Sequence, residues 1–339
     1  MALRTSFRSL GLRIGYVLAG IYVVATLAMG IVLAEFFLHL PKRHVEDGMV
    51  FRTRVWHQFH ASVEDVSVKA ADGAVLKAWY VRPPKPRGEA VLLLHGITGN
   101  RVDPSGFGDI FLKQGYSVLL PDSREHGESG GRIATYGILE REDVRRWVGF
   151  ARKRDPGCTY LLGESMGAAI GLQATSVTPQ LCAVAVESPY ANFREISYER
   201  LGNETHLGTL FWKTLGRPAV EVAIVYARIR YKVYLPDAAP GKAVENSRVP
   251  TLLIAGTEDR DIPMHHAQEL LARCEKHCWL WIIPGASHGG ASTVVPVTFE
   301  FSVLDFFQKH DHAKLVPRLA KSGIDLGIVG GSFQDLAGL

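Results

Sequence analysis

The chain has 339 residues, a length that fits one large α/β domain or two ordinary ones. Apolar residues make up 47% and charged residues 21%, which is ordinary globular usage and excludes a disordered chain. The net charge of +4 is spread along the chain without a basic block, so no nucleic-acid partner is expected. Four cysteines are too few for a disulfide scaffold.

The N-terminal region contains an uncharged apolar run at residues 14–34. As a helix this run would cover ~31 Å, about the thickness of a bilayer core. It predicts a transmembrane helix, preceded by a basic tail (1–13) and followed by a juxtamembrane linker (35–61). The alternatives are a signal peptide, whose apolar region is usually shorter, and a buried helix of a soluble protein. Basic residues flank the run on both sides, so charge does not decide its orientation. A first helix commonly keeps a short basic N-terminal tail in the cytoplasm, and this favours a catalytic domain on the extracytoplasmic side.

The rest of the chain alternates between strand-like and helix-like segments. Strands are predicted at 62–69, 74–81, 90–94, 117–120, 159–162, 182–186, 251–255 and 278–283. Helical spacing occurs at 104–114, 137–154, 165–177, 263–276 and 296–309. The alternation predicts a mostly parallel sheet covered by helices on both faces, within a domain at 62–310. The long stretch 190–247 is predicted to be a helical lid inserted between two core strands, and the tail 311–339 to be peripheral.

The sharpest motif is Gly-Glu-Ser-Met-Gly at residues 163–167, between an apolar strand and a helix of small residues. A serine on such a tight strand-to-helix turn projects its hydroxyl from the sheet edge, and small residues two positions away on each side avoid a clash. Ser165 is therefore the candidate nucleophile. The backbone N–H of Met166, at the helix N-terminus, is a candidate oxyanion donor.

With this motif the chain resembles the α/β-hydrolase superfamily over about residues 62–309. It is most similar to the serine-aminopeptidase-like and monoacylglycerol-lipase-like branches, here with an N-terminal membrane anchor. The resemblance implies that Ile97, after the His95-Gly96 pair, supplies the second oxyanion N–H, while His95 shapes the loop. In the segment that begins at Asp122, Glu125 replaces the family's usual glycine, so the local loop geometry is in question.

The acid and the base are also implied by the resemblance, in the chain order Ser…Asp…His. The family pattern Gly-x-x-Asp-x-x-hydrophobic-Pro selects Asp259, with Glu258 and Asp261 as its competitors. His288, on the loop after the last strand, matches the family's general base. Glu187, at the end of strand 182–186, is an alternative acid used by some relatives.

The sequence thus predicts a membrane-anchored serine hydrolase that cleaves ester or thioester bonds through an acyl-enzyme, with no metal and no organic cofactor. Its expected partners are the membrane and a small acyl substrate, and a lipid would be one such substrate. The rival functions are a serine aminopeptidase, for which Glu195, Glu199, Glu204 and Glu221 would supply acidic groups, and a non-catalytic scaffold. The oligomeric state is left open.

The cysteines and the remaining histidines are not expected to take part in the chemistry. Cys158 and Cys182 are predicted to be buried thiols that could lie close together, and a Cys274–Cys278 bridge is expected only in an oxidising compartment. Six other histidines lack metal-ligand spacing and are interpreted as surface residues: His57, His60, His265, His266, His310 and His312.

Overall fold

The computed structural model describes residues 2–45 and 48–311, with side chains from residue 12 onward. The expectations for the tail beyond Asp311 and for the basic side chains of the first eleven residues lie outside this description. The strands are β1 (Ser62–Lys69), β2 (Val75–Arg82), β3 (Ala90–Leu94), β4 (Ser117–Pro121), β5 (Thr159–Glu164), β6 (Leu181–Glu187), β7 (Thr251–Gly256) and β8 (Cys278–Ile283).

Helices precede, separate and follow these strands. They are α1 (Ala2–Leu38), α2 (Gly48–Phe59), α3 (Ser105–Leu112), α4 (Glu140–Arg154), α5 (Met166–Thr175), α6 (Phe193–Glu204), α7 (Thr209–Lys213), α8 (Arg217–Tyr231), α9 (Pro240–Glu245), α10 (His265–Cys274), α11 (Ala291–Val294) and α12 (Pro296–Lys309).

All eight strands form one sheet, in the order β1-β2-β4-β3-β5-β6-β7-β8. β2 runs antiparallel to both β1 and β4, and every later pairing is parallel. The central strands are buried along their whole length, as the continuous apolar runs in the sequence indicated. The predicted α/β-hydrolase fold is confirmed, and all predicted strand limits lie within two residues of the observed ones.

The segment 35–61, interpreted as a juxtamembrane linker that could be partly helical, contains α2. Phe51 of this helix stacks on Trp79 of β2, with 4.6 Å between ring centroids. Val55 is fully buried and belongs to the same hydrophobic cluster as the sheet. Burying two such side chains contributes roughly 3–6 kcal/mol, which is enough to hold a 12-residue helix that has little amphipathic pattern of its own.

The chain divides into two compact units. Among the described residues, one comprises 39–45, 48–196 and 236–311, including the whole sheet, and the other comprises 2–38 and 197–235. The insertion between β6 and β7 is helical, as predicted, but its first part (190–196) and its last part (236–247) belong to the unit with the sheet.

In the smaller unit, α1 packs against α8. The Tyr22 hydroxyl donates to the carbonyl of Leu215 at 2.9 Å. The Glu35 carboxylate accepts hydrogen bonds from the hydroxyls of Tyr226 and Tyr231 at 2.5 and 2.8 Å. These contacts advance in the same direction along both segments, so the two helices run parallel.

The apolar part of α1 is Leu12–Leu38, and its most apolar 18-residue stretch has a mean hydropathy of 2.4 and is only 17% buried. This helix is longer than the 14–34 run predicted from the sequence. Its length and composition fit a membrane span, and signal sequences have the same character.

The four cysteines form two disulfides, Cys158–Cys182 and Cys274–Cys278. The prediction of buried thiols at Cys158 and Cys182 is therefore wrong, although both residues are buried. The first cysteine directly precedes β5 and the second lies in β6, so the pairing of these neighbouring strands brings their Cα atoms to 5.7 Å. That separation lies within the range that a disulfide requires.

Candidate active site

Ser165 lies on a strained turn between β5 and α5. Its backbone has φ +55° and ψ −116°, a left-handed conformation that costs a non-glycine residue free energy. A Cβ at Gly163 would fall 2.6 Å from the carbonyl oxygen of Gly167, and one at Gly167 would fall 2.5 Å from that of Leu94. Both glycines are thus required by backbone contacts, as the motif predicted.

The structure brings the three predicted catalytic side chains together at the carboxyl edge of the sheet. His288 Nε2 lies 2.9 Å from Ser165 Oγ. His288 Nδ1 lies 3.0 and 3.2 Å from the two carboxylate oxygens of Asp259. Ser165 follows β5, Asp259 follows β7 and His288 follows β8, and parallel strands end at the same edge. The result is a continuous Ser–His–Asp hydrogen-bonded chain.

The carboxylate bonded to His288 is that of Asp259, rather than Glu258 or Asp261. Backbone N–H groups of Ile262 and Asp261 donate to its Oδ1 at 2.8 and 3.0 Å. Burial disfavours the charged carboxylate, but the hydrogen bonds from His288 and the backbone outweigh burial, so the pKa of Asp259 is lowered. Asp259 therefore remains ionised at neutral pH.

The pKa of His288 moves in the opposite direction. Burial lowers it, whereas the hydrogen bond and the negative charge of Asp259 raise it, and the net shift is upward. A more basic imidazole accepts a proton from a hydroxyl more readily. Near neutral pH the same ring can hold that proton and return it, which is the behaviour of a general acid–base group.

The two predicted oxyanion donors belong to the segments that flank the nucleophile. Met166 is the first residue of α5, so its N–H has no acceptor one turn earlier in the helix. Ile97 follows Gly96, whose added Cβ would lie 3.6 Å from the Cβ of Ser165. The loop after β3 therefore lies beside the nucleophile. Assignment of these two N–H groups as oxyanion donors stays a proposal.

His95 connects two loops next to the nucleophile. Its Nδ1 donates to the carbonyl of Gly96 at 2.7 Å, and its Nε2 accepts the N–H of Ser123 at 3.0 Å. Burial lowers the pKa of His95 to about 4, so the ring is neutral at physiological pH. Because both nitrogens are engaged, this geometry supports the structural role expected for His95.

The segment after β4 is held by buried ion pairs. Arg101 donates to Asp122 at 2.6 and 3.0 Å, and Arg124 donates twice to Asp143 at 2.8 Å. Glu125, which stands where the family usually has glycine, has φ +61°. The loop thus keeps a left-handed conformation at this position despite the substitution, at a cost of roughly 1–2 kcal/mol.

The contacts that Glu187 and Ser188 make at the candidate site were not predicted from the sequence. Glu187 ends β6 and Ser188 follows it, and their atoms contact the segments that carry Ser165, Asp259 and His288. Glu187 was considered only as an alternative acid. The signal available in the sequence was their position directly at the end of a core strand.

The interpretation of the extra histidines as surface residues is wrong for His266. It is fully buried, and its Nδ1 accepts the N–H of Ala191 at 3.3 Å. Ligand atoms of His266, His265 and Glu195 lie within 4.8 Å of one another. Spacing along the chain did not reveal this cluster, because Glu195 is distant in sequence from the two histidines.

Fold and site together define a hydrolase of the alpha/beta type. A family model described as the alpha/beta hydrolase family matches residues 91–297, more than half of the chain. The chain belongs to this family.

The chain is also similar to proteins of other organisms. An uncharacterized protein of Bacillus subtilis, YqkD, is 26% identical over 296 residues, covering 85% of this chain and 94% of its own length. An uncharacterized protein of Mycobacterium tuberculosis is 25% identical over 227 residues, covering 66% and 72%. The solved structure of a Pyrococcus furiosus esterase superposes with a TM-score of 0.65 at 21% identity, covering 80% of this chain and 98% of the esterase.

Proposed function

We propose that this protein is a membrane-attached serine hydrolase that cleaves carboxylic ester or thioester bonds through an acyl-enzyme. The observation that carries the proposal is the continuous hydrogen-bonded chain from Ser165 through His288 to Asp259 on a strained strand-to-helix turn. A serine hydroxyl is too weak a nucleophile alone, and an adjacent imidazole oriented by a carboxylate activates it.

In the first half of the reaction, Ser165 Oγ attacks the acyl carbonyl carbon while His288 Nε2 takes the hydroxyl proton. The carbonyl oxygen becomes negative and accepts hydrogen bonds from the N–H groups of Ile97 and Met166. As the tetrahedral intermediate collapses, the bond to the leaving group breaks. His288 then gives its proton to the departing alkoxide or thiolate.

In the second half, water attacks the acyl-enzyme. His288 takes a proton from this water and returns it to Ser165 Oγ when the acyl–oxygen bond breaks, releasing a carboxylic acid. Throughout, Asp259 fixes the imidazole tautomer and stabilises the imidazolium. Each step uses groups of this chain and water.

An ester or thioester suits this chain better than the amino terminus of a peptide. An aminopeptidase needs free acidic groups to hold that terminus. Two of the candidate glutamates already neutralise neighbouring arginines on their own helices: Glu204 accepts from Arg200 at 2.8 Å and Glu221 lies 3.8 Å from Arg217. The apolar surface of α1 would hold the enzyme at a membrane, where acyl chains are concentrated.

The two disulfides support a location outside the cytosol, because cytosolic thiols are normally kept reduced. This agrees with an extracytoplasmic catalytic domain attached through α1. The location is part of the proposal.

The test uses full-length protein in detergent, with Ser165→Ala and Asp259→Asn as variants. p-Nitrophenyl esters and acyl thioesters of increasing chain length are assayed for turnover, and a fluorophosphonate probe is used for labelling. We expect the wild type to label and to turn over, and Ser165→Ala to do neither. A folded wild-type protein that does neither would contradict the proposal and favour a non-catalytic scaffold. Release of an N-terminal amino acid from peptides, without ester turnover, would favour the aminopeptidase.

A further inference from the structure

We propose that Glu187 and Ser188 form one positioning element that holds all three triad residues in their positions relative to one another. This inference rests on the proposed function, because it concerns the same site. The two residues lie at the end of β6, between the strand that leads to Ser165 and the strand that leads to Asp259. Neither would touch the substrate in this role; both act through the triad.

The first contact is to the nucleophile. The backbone N–H of Ser165 donates to the carbonyl oxygen of Glu187 at 2.9 Å. This bond continues the pairing of β5 with β6 by one residue, since Glu164 is the register partner of Glu187. It fixes the peptide that enters the strained turn, and so contributes to holding Ser165 at its positive φ.

The second contact is to the acid. The Ser188 hydroxyl acts on the Asp259 carboxylate and helps to lower its pKa. The N–H of Ser188 donates to the carbonyl of Ile254 in β7 at 2.9 Å, which fixes the height of Ser188 relative to that strand. Ser188 has φ +53°, a second left-handed residue next to the nucleophile. This backbone strain turns the chain at the point where its hydroxyl reaches Asp259.

The third contact is to the loop that carries the base. Glu187 Oε1 accepts the N–H of Ala291 at 2.8 Å, and Ser188 Oγ accepts the N–H of Gly289 at 3.4 Å. These two amides lie one and three residues after His288. The loop is therefore held from both residues of the element, and the imidazole stays aligned with Ser165 on one side and Asp259 on the other.

Burial makes these contacts costly to lose. Glu187 is 3% exposed, and within the described part of the chain its Oε2 has no hydrogen-bond partner. Burial and the nearby carboxylates of Glu164 and Asp259 raise the pKa of Glu187 to about 7, while the Ala291 N–H and His288 oppose this shift. If the Glu187 carboxyl served only to fill space, an apolar side chain could replace it without loss of stability, because burying a carboxyl is costly. The Ala291 N–H gives this carboxyl a use that an apolar side chain cannot supply.

The test compares Glu187→Gln with Glu187→Leu in the full-length protein. Glutamine keeps an oxygen for the Ala291 N–H, whereas leucine fills similar volume and accepts nothing. We expect Glu187→Gln to keep kcat within a few-fold of wild type and Glu187→Leu to lose about 10²-fold in kcat, the scale of a small misplacement of catalytic groups. KM should change little in both, because the affected contacts align the triad and do not bind substrate.

Ser188→Gly tests the second residue. Glycine adopts φ +53° without strain, so this variant removes the hydroxyl and leaves the backbone turn intact. We expect kcat to fall about 10-fold or more without loss of folding, on the scale of one lost hydrogen bond to a charged group. Glu89→Leu is the matched control: it replaces another buried glutamate, just before β3, at the opposite edge of the sheet. It should lower stability without lowering kcat.

Amide hydrogen exchange of Gly289 and Ala291 provides a readout that needs no substrate. Ala291 should be protected in wild type and in Glu187→Gln and should exchange faster in Glu187→Leu; Gly289 should exchange faster in Ser188→Gly. Normal kcat and unchanged exchange in Glu187→Leu would overturn the proposal. If the wild type hydrolyses no ester, the proposed function fails, and the exchange data alone still decide whether this element holds the loop.

Discussion

The contact between Gly163 and Gly167 offers a direct test of the strained turn at Ser165. In Gly163→Ala the new Cβ would fall 2.6 Å from the carbonyl oxygen of Gly167, and 2.7 Å from its carbon. The atoms that it meets are backbone atoms of the first turn of α5, and they cannot rotate away as a side chain could. Either α5 moves away from β5 or the turn changes conformation, and both displace Ser165 Oγ from His288.

Inserting one methyl group into such a packed site costs about 1–3 kcal/mol of unfolding free energy. A displacement of about 1 Å at the nucleophile lowers kcat by about 10²-fold. The matched control is Gly149→Ala on the exposed face of α4, where a Cβ would have no neighbour within 4 Å. There the same substitution should raise stability by about 0.5–1 kcal/mol, because alanine loses less backbone freedom than glycine in a helix.

Chemical denaturation of the two variants and the wild type in the same detergent measures both effects, and ester turnover measures kcat. Opposite signs of the stability change, with turnover lost only in Gly163→Ala, are the expected result. If Gly163→Ala unfolds at the wild-type denaturant concentration and turns over normally, the reasoning from backbone contact is wrong.

Three further predictions concern the base, the disulfides and the anchor helix. Because the pKa of His288 is raised, kcat/KM should rise with pH through a midpoint above 6.5, the ordinary value for histidine. Asp259→Asn should lower that midpoint and reduce kcat by on the order of 10⁴-fold. A midpoint that this substitution leaves unchanged would contradict the pairing of His288 with Asp259. Mass spectrometry after alkylation should find no modified cysteine in the non-reduced protein. Removing the Cys158–Cys182 bridge, which spans 24 residues, by the double substitution Cys158→Ser/Cys182→Ser should lower the unfolding free energy by about 3 kcal/mol. Ready alkylation of both cysteines would refute the bridge. In Gly30→Leu the new Cβ would lie 2.5 Å from a valine side chain of α8, which should weaken the packing of α1 on α8. Limited proteolysis of the 197–235 segment should therefore become faster than in wild type. An unchanged cleavage rate would argue against this packing.

The features that the sequence determined by itself are those set by short stretches of chain. A continuous apolar run predicts a buried parallel strand, and the backbone turn at Ser165 needs small residues at fixed positions two before and two after it. For this reason the strands, the fold and the candidate nucleophile were predictable from local pattern. The acid and the base required the family resemblance as well, since several carboxylates compete in the loop that contains Asp259.

The remaining features depend on which segments meet in space. The helix at 48–59 has little periodicity and is recognised only because Phe51 and Val55 enter the core of the sheet. The cysteine pairing follows from β5 lying beside β6, and the packing of α1 on α8 joins segments about 190 residues apart.

Glu187 and Ser188 show the same division within the active site. Their position at a strand end is written in the sequence, but their contacts to the segments that carry Ser165, Asp259 and His288 exist only once four separate segments share one edge of the sheet. Local propensity is fixed by neighbours along the chain, whereas hydrogen bonds between distant segments are fixed by strand order and register. Tertiary structure alone therefore decided how the triad is held.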